Sequence, residues 1–270
     1  MKDKRILFIS SELTPYLPET EVSKMAFEVP KEMHHQGAQI RMFMPRFGVI
    51  NERRHQLHEV IRLSGMNLII NDVDMPLIIK VASIPKERMQ VYFIDNEEYF
   101  KRKAVLTNED GKLYEDNDER AIFFAKGVVE TVKKLKWAPD VIHVHGWMAS
   151  LLPLYLKEYY KNDPLFAESK IVVSAFNNNT NGVLSNKDLV NKIKFDQISE
   201  DKLALLQKEG DDSFMKVAIE NADAVIKGSE NLNDELNSFI DNLEIPVLDY
   251  QPLESFTEAY SDFYLTKVLL

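Results

Sequence analysis

The sequence predicts an α/β fold, namely a single Rossmann-like domain with a mostly parallel sheet, helices on both faces and an inserted β-hairpin. Short apolar runs alternate along the chain with longer amphipathic stretches, which is typical of strand–helix–strand units. The apolar runs have no polar alternation, as expected for strands that helices cover on both sides. No internal repeat or Gly/Ser-rich linker divides the 270 residues, and one domain of this length can bury a sizeable core.

The apolar runs are predicted as strands because they are short and bounded by polar or turn-forming residues. They span residues 6–10, 40–44, 91–94, 141–144, 171–175 and 224–226. Residues 67–84 differ from the rest. There, two apolar runs, 68–70 and 77–79, flank the polar residues 71–74, which predicts the inserted hairpin.

Helices are predicted where apolar residues recur every three or four positions. In residues 22–36 this pattern contains Pro30, which is expected to kink or divide the helix, and Gly37 marks its end. Residues 118–136 carry the clearest stripe. Further helices are predicted at 148–160, 214–221 and 231–240. The last segment, 254–270, has Phe256, Tyr260, Phe263, Tyr264 and Val268 at helical spacing, so it is expected to be a helix that docks on the domain.

Composition excludes several classes of function. The chain has no cysteine, so disulfides, thiolate catalysis and cysteine-ligated metals are ruled out. Its 43 acidic and 33 basic residues give a net charge of -10, which disfavours binding to nucleic acid or anionic lipid. The first apolar run is too short for an export signal and no stretch is long enough to span a bilayer. We therefore expect a cytoplasmic protein with no nucleic-acid or membrane partner.

Residues after the predicted strands are expected to share one rim, because ligands bind at the carboxyl ends of parallel strands. These residues are 10–12, 45–46, 145–147, 176–179 and 228–230. The chain has no GxGxxG, P-loop, HExxH or GxSxG motif, so no cofactor is predicted.

Three features of this rim have both a functional and a structural interpretation. His143 and His145 share one face of a strand, but metal sites need three or four ligands, so a buried His143 and a rim His145 are the preferred interpretation and no metal is predicted. The amides of 177–181 suit hydroxyl-rich ligands or satisfy their own turn, and these alternatives stay open. Trp147 is a sugar platform or, more in keeping with its size, a core residue.

Blocks of sequence along the chain resemble those of bacterial glycogen synthases and plant starch synthases, and they occur in the family order. They are SELTP at 11–15, PRFG at 45–48, YFIDNEEYF at 92–100, YEDNDERAIFF at 114–124, PDVIHVHGW at 139–147 and ADAV at 222–225. The resemblance implies half of a GT-B fold: residues 1–243 as the N-terminal domain and residues 244–270 as a C-terminal extension with the docking helix. It implies that the family's second domain, with most of the sugar-nucleotide site, is absent.

Departures from the family pattern affect the donor site. The family has a lysine and two glycines that meet the donor's phosphate and sugar, and the matching positions here are Pro18, Thr20 and Glu21. Gly146 replaces an aspartate and Phe176 replaces a histidine. The rim residues that match the family are Glu12, Asp116, Asn117, Arg120, His145, Trp147 and Asn177. Of these, Glu12, Asp116 and His145 are the family-matching candidates for catalysis, although no catalytic role is assigned to them.

Four functional hypotheses follow. The first is a truncated, degenerate member of the family that is not competent alone and binds an α-glucan, another small ligand or a protein partner. The second is an ADP-glucose-dependent α-1,4-glucan glucosyltransferase completed by a second chain. The third is a non-enzymatic, oligomeric scaffold. The fourth, a metal hydrolase using His143 and His145, is the least favoured.

Overall fold

The computed structural model describes residues 1–177, 186–207 and 212–270, and it describes no side chain for residues 186 and 187. Within these ranges the strands are β1 Arg5–Ser10, β2 Gln39–Pro45, β3 His58–Glu59, β4 Met66–Ile70, β5 Val73–Ser83, β6 Gln90–Asp95, β7 Val141–His145, β8 Lys170–Ala175, β9 Ala224–Lys227 and β10 Val247–Leu248. The α-helices are α1 Glu21–His35, α2 Glu52–His55, α3 Glu97–Phe100, α4 Asn117–Leu135, α5 Leu152–Glu158, α6 Asn186–Phe195, α7 Ser213–Glu220, α8 Asp234–Asp241 and α9 Phe256–Phe263.

One sheet organises the domain. Its strand order is β10-β9-β8-β7-β1-β2-β6-β5-β3, and β4 pairs with β5 outside this path. From β10 to β6 every neighbouring pair is parallel, whereas β3, β4 and β6 pair antiparallel with β5. Strands β2 to β6 lie on one side of β1 in the sheet, and β7 to β10 lie on the other side. This confirms the predicted mostly parallel α/β sheet with its inserted hairpin.

Helix α1 runs through Pro30 without a break, so the prediction that this proline divides the helix is wrong. A proline inside a helix removes one hydrogen bond and crowds the preceding turn. Here Pro30 is buried along with Val29 and Met33, and the helix packs on β1 and β2. The burial of this apolar face offsets the lost bond. The helix ends at His35 with Gln36 as its C-cap, and Gly37, the predicted stop signal, follows with a φ of +92°.

The hairpin turn is tighter than its sequence suggested. Only Asn71 and Asp72 form the turn, with φ values of 45° and 69°, and Val73 already pairs with Ile70. Two consecutive residues with positive φ match the turn type whose twist suits a two-residue hairpin, and Asn and Asp tolerate this conformation.

The end of the chain packs on the sheet. Helix α9 continues as a π-helical segment, Tyr264–Val268, and the apolar stripe predicted for this region is buried. It lies beside α1, on the face of β7 that carries His143, since the Tyr264 hydroxyl is 2.6 Å from Nδ1 of His143. Helices α4, α5 and α7 pack together. No helix in the described ranges is both long and apolar enough to cross a membrane.

Candidate ligand site at the carboxyl edge of the sheet

A cavity of about 300 Å³ opens where β1, β7 and β8 end. We call it the edge cavity. Its lining combines Glu12, Thr20, Glu21 and Asn177 with the apolar or small residues Val22, Leu106, Gly146, Trp147, Phe176 and Met215. It lies at the ends of the paired strands β1 and β7, where the strand order of the sheet changes direction. Ligands of open α/β sheets bind at such a point.

The charged groups of the edge cavity are carboxylates. Glu12 Oε2 accepts a hydrogen bond of 2.6 Å from the Thr20 hydroxyl, and Glu21 Oε2 accepts one of 2.5 Å from Ser229. No lysine, arginine or histidine is among the described residues that line the cavity. The N-terminus of α1, which would otherwise attract an anion, therefore has two carboxylates of its own nearby.

Gly146 is required by the backbone at the mouth of this cavity. Its φ is +78°, and a Cβ atom there would lie 2.8 Å from the Ser11 hydroxyl oxygen. That hydroxyl is held in place because it accepts a 2.9 Å hydrogen bond from the Met148 N–H. An aspartate, which the family resemblance would place here, does not fit without movement of Ser11.

His143 and His145 lie beneath the C-terminal segment rather than in the cavity wall. His143 bonds through Nε2 to the Ser174 hydroxyl at 2.7 Å and through Nδ1 to Tyr264, so neither of its nitrogens is free for a metal. His145 is 1% exposed, and neither of its nitrogens has a hydrogen-bond partner among the residues that the structure describes. Burial lowers the pKa of His145 to about 3 and that of His143 well below its ordinary value, so both rings are neutral at pH 7.

Asp116, Asn117 and Arg120 also lie outside the cavity lining. They anchor residues 101–116, which we call the cover segment. Asp116 forms a two-pronged ion pair with Arg102, and Asn117 Nδ2 donates a 2.9 Å hydrogen bond to the Leu106 carbonyl. The Leu106 side chain lines the cavity. These family-matching residues thus contact the cover segment, and one residue of that segment, Leu106, lines the cavity.

Arg120 is the central anchor. It is completely buried and donates hydrogen bonds to the Val105 carbonyl, at 2.8 Å, and to Asn117 Oδ1, at 2.5 Å. Its guanidinium lies over the rings of Phe47, Phe100 and Tyr114. Burial lowers its pKa to about 10, so the group still carries its charge at neutral pH and is stabilised by the aromatic faces.

Trp147 and Asn177 do line the cavity. Trp147 is 9% exposed and packs edge-on against Phe214, so it is a core residue with one side at the cavity. The Asn177 side chain donates to the Asn231 carbonyl and accepts from the Asn233 N–H. The other amides of the predicted cluster, residues 178, 179 and 181, lie outside the described residues. No pattern in the sequence marks Leu106 or Met215 as cavity residues, because Leu106 lies in a loop without periodicity and Met215 lies on helix α7.

The cover segment should open more readily when its ion pair is removed. We expect Arg102→Ala to speed hydrogen exchange of backbone amides in residues 103–114 about fivefold, since a half-buried two-pronged pair contributes on the order of 1 kcal/mol. Mass spectrometry of exchanging peptides measures this. Lys101→Ala is the matched control, because its pair with Glu97 is largely exposed and its loss should leave exchange unchanged. Equal exchange in both variants would contradict the anchoring role.

Comparison with known proteins identifies the family. Residues 5–244 match the family model described as "Starch synthase catalytic domain". The chain belongs to this family. The match confirms the resemblance found in the motifs, and it covers strands β1 to β9, the edge cavity and the cover segment.

Individual relatives agree with this assignment. Glycogen synthase of Chlorobium limicola is 33% identical over 234 residues, which are 86% of this chain and 47% of that protein. Glycogen synthase of Chlorobaculum tepidum is 32% identical over 227 residues, or 84% of this chain and 46% of that protein. The chain spans about half the length of the curated relatives it matches.

A solved structure shares the fold. The catalytic domain of starch synthase IV from Arabidopsis thaliana, bound to ADP and acarbose, matches with a TM-score of 0.70 at 14% sequence identity. The match covers 92% of this chain and 51% of the starch synthase chain. The chain therefore has the α/β fold of about half of a GT-B glycosyltransferase catalytic domain.

The donor-site departures can now be located. Pro18, Thr20 and Glu21, which stand where the family resemblance implies a lysine and two glycines, lead into α1 and are exposed. Thr20 and Ser23 cap the helix reciprocally. Thr20 also donates to Glu12. The segment is therefore a well-formed helix start whose polar groups bond to each other.

Proposed function

We propose that the chain is a sugar-binding domain of the starch synthase catalytic domain family, which binds an α-glucan in the edge cavity and does not transfer glucose by itself. The observation that carries the proposal is the charge of the cavity, which has two carboxylates and no cation among its described lining residues. Uncharged sugar hydroxyls bond well to Glu12, Glu21 and Asn177, and Trp147 and Phe176 provide apolar contact. A cytoplasmic location is part of this proposal.

Electrostatics argue against a nucleotide-sugar donor in this chain alone. Transfer from such a donor requires stabilisation of the charge that develops on its diphosphate. A diphosphate in the edge cavity would instead face Glu12 and Glu21, and like charges a few ångströms apart repel. The chain matches about half of the length of these relatives, so the proposal concerns this domain alone.

Calorimetric titration tests the proposal directly. We expect maltoheptaose to bind to the 270-residue chain and ADP-glucose to give no heat of binding. ADP-glucose binding would overturn the proposal and favour a transferase that a second chain completes. Absence of binding by both ligands, together with a molecular mass that rises with concentration, would overturn it in favour of an oligomeric scaffold.

Restoring the residues that the family resemblance implies should change ligand preference. We expect the triple variant Pro18→Lys, Thr20→Gly, Glu21→Gly to bind ADP at least roughly tenfold more tightly than the parent, because a repulsive carboxylate is removed and a cation is added. Glycine is a tolerated N-cap, so α1 should persist. Glu98→Lys, an exposed charge reversal away from the cavity, is the matched control and should leave ADP affinity unchanged. An equal gain in both variants would reveal nonspecific attraction.

A further inference from the structure

We propose that the chain has a second binding site for a neutral oligosaccharide, in a groove that is separate from the edge cavity. This side groove, of about 460 Å³, lies between β4, α4, the end of α5 and the end of α6. The residues that the argument uses are Asn67, Ile69, Glu130, Tyr159, Phe195 and Gln197. The inference rests on the proposed function in that it takes the same class of ligand.

The rim of the side groove exposes large apolar side chains. Ile69, Tyr159 and Phe195 are 49%, 45% and 50% exposed. They are three of the eight large apolar residues that the described part of the chain exposes, so their meeting at one groove is a local concentration. Tyr159 is fixed by edge-on packing against Tyr160, with ring centroids 4.8 Å apart. A fixed ring is a good platform because little side-chain entropy is lost when a ligand stacks on it.

The floor of the side groove carries charges that already have partners. Lys126 Nζ donates to Asp196 Oδ1 at 2.5 Å and to the Ile69 carbonyl at 2.8 Å. The Tyr155 hydroxyl donates to the other oxygen of Asp196 at 2.7 Å. The lysine ammonium also lies 5.0 Å from the centre of the Tyr159 ring. The Lys126–Asp196 pair therefore offers no net positive charge that would attract a phosphate or a carboxylate ligand.

Neutral polar groups complete the site. The side-chain amides of Asn67 and Gln197 are exposed and make no hydrogen bond to any described residue, so they are free to donate and accept. Glu130, half-buried, adds carboxylate oxygens at the wall. A sugar ring presents an apolar C–H face to an aromatic platform and hydroxyls to amides and carboxylates. The groove therefore combines aromatic faces, free amides and a floor whose charges are paired, and these are the features that bind an oligosaccharide.

The shape favours a small ligand over a protein. Ligand pockets have volumes of roughly 300–1,000 Å³, which includes this groove. A stable protein partner would need on the order of 800 Å² of surface on each side, and such surfaces are broad rather than concave. We therefore commit to a linear, neutral oligosaccharide as the occupant.

Titration with maltoheptaose, with the two sites disabled in turn, tests this proposal. Phe195→Ser removes half of the aromatic rim at an exposed position, and we expect it to weaken one of two binding events about five- to tenfold. Gln197→Ala should weaken the same event without touching any packed side chain. Ile61→Ser is the matched control, since Ile61 is 83% exposed and lines neither site, and it should bind like the parent.

A blocking variant of the edge cavity separates this proposal from the proposed function. Leu106→Trp fills that cavity, and we expect it to abolish one binding event and to leave the event that Phe195→Ser weakens. If Leu106→Trp abolishes all binding, or if Phe195→Ser and Gln197→Ala both bind like the parent, the side groove is not a sugar site. If Leu106→Trp changes nothing while Phe195→Ser removes all binding, the side groove is supported and the proposed function of the edge cavity fails.

Discussion

Acidification from pH 6 to pH 4.5 should lower the free energy of unfolding by about 4 kcal/mol, because two buried histidines must stay neutral in the folded chain. His143 and His145 are 0% and 1% exposed. Burial lowers the pKa of His145 to about 3 and that of His143 well below its ordinary value. Their ring centroids lie 4.1 Å apart, so a proton on one ring also disfavours protonation of the other.

The direction of this pH dependence is set by how many protons the folded and unfolded states bind. In the unfolded chain both histidines take up protons as the pH falls through about 6.5. In the folded chain they remain neutral until the pH approaches their lowered pKa values, so below pH 6.5 the unfolded state binds more protons and stability rises with pH. Each histidine contributes a slope of at most about 1.4 kcal/mol per pH unit, and the two together about 2.7. The stabilisation is fully present above pH 6.5.

Substitution of one histidine should halve this slope. His145→Phe removes a titrating group but keeps a ring between Phe8 and Phe176. It breaks no hydrogen bond to any described residue, since neither nitrogen of His145 has a partner in that part of the chain. We expect urea unfolding at pH 6, 5.5, 5 and 4.5 to give a slope of about 1.4 kcal/mol per pH unit for this variant. His58→Gln, at an exposed position, is the control and should keep the parent slope.

Other titrating groups modify the curve at lower pH. Burial raises the pKa of Asp95 and Asp118, so their protonation favours the folded state and flattens the slope as the pH falls further. Burial and Arg54 lower the pKa of His55, which adds in the same direction as the buried pair, but that ring is half-exposed. A parent slope of zero between pH 6 and 5 would contradict the neutral, buried state of His143 and His145.

Much of the fold could be predicted from the sequence because local pattern and tertiary burial agree. The strands β1, β7 and β8 are short apolar runs with helices on both faces, so their burial is visible as a loss of alternation. The C-terminal segment could be predicted as a docked helix because its five apolar residues form one stripe. The unbroken course of α1 through Pro30 could not, since the packing that offsets a lost hydrogen bond is a property of the folded state.

The candidate site was only partly predictable. Glu12, Trp147 and Asn177 follow three different parallel strands, whose ends are expected to share a rim, and all three line one cavity. His145 also lies at the end of a strand, but its side chain shares the face of His143, which the C-terminal segment covers. Asp116 is directed to Arg102 by the course of the cover segment, and an irregular loop carries no periodic signal from which this pairing could be inferred.

Breaking the ion pair between Lys126 and Asp196 should destabilise the chain by about 3–5 kcal/mol. The two side chains are 5% and 7% exposed. Lys126→Met leaves the Asp196 carboxylate buried with only the Tyr155 hydroxyl as a described side-chain partner. A buried charge without a partner destabilises a protein by more than the ion pair stabilises it. The fall in the free energy of unfolding therefore measures the cost of leaving the Asp196 carboxylate without its cation, and not the strength of the ion pair.

A double-mutant cycle separates these two quantities. We expect Lys126→Met combined with Asp196→Asn to be more stable than the sum of the single losses predicts, by about 2 kcal/mol or more, because neither residue then leaves an isolated charge. Urea unfolding at pH 7 provides the four free energies. The control cycle uses Lys101→Met and Glu97→Gln, a pair with 69% and 73% exposed side chains, whose coupling should stay below about 0.5 kcal/mol.

The same variants also report on the side groove, since this ion pair forms its floor. In the parent chain the charges of Lys126 and Asp196 neutralise each other, so maltoheptaose binding in the side groove should not depend on salt concentration. Lys126→Met leaves a net negative charge beneath the proposed sugar site, whereas the double variant leaves none. We therefore expect the double variant to bind maltoheptaose within about twofold of the parent. Additive stability losses in the cycle would show instead that Lys126 and Asp196 are solvated independently. That result would contradict the claim that their charges neutralise each other in the floor of the side groove.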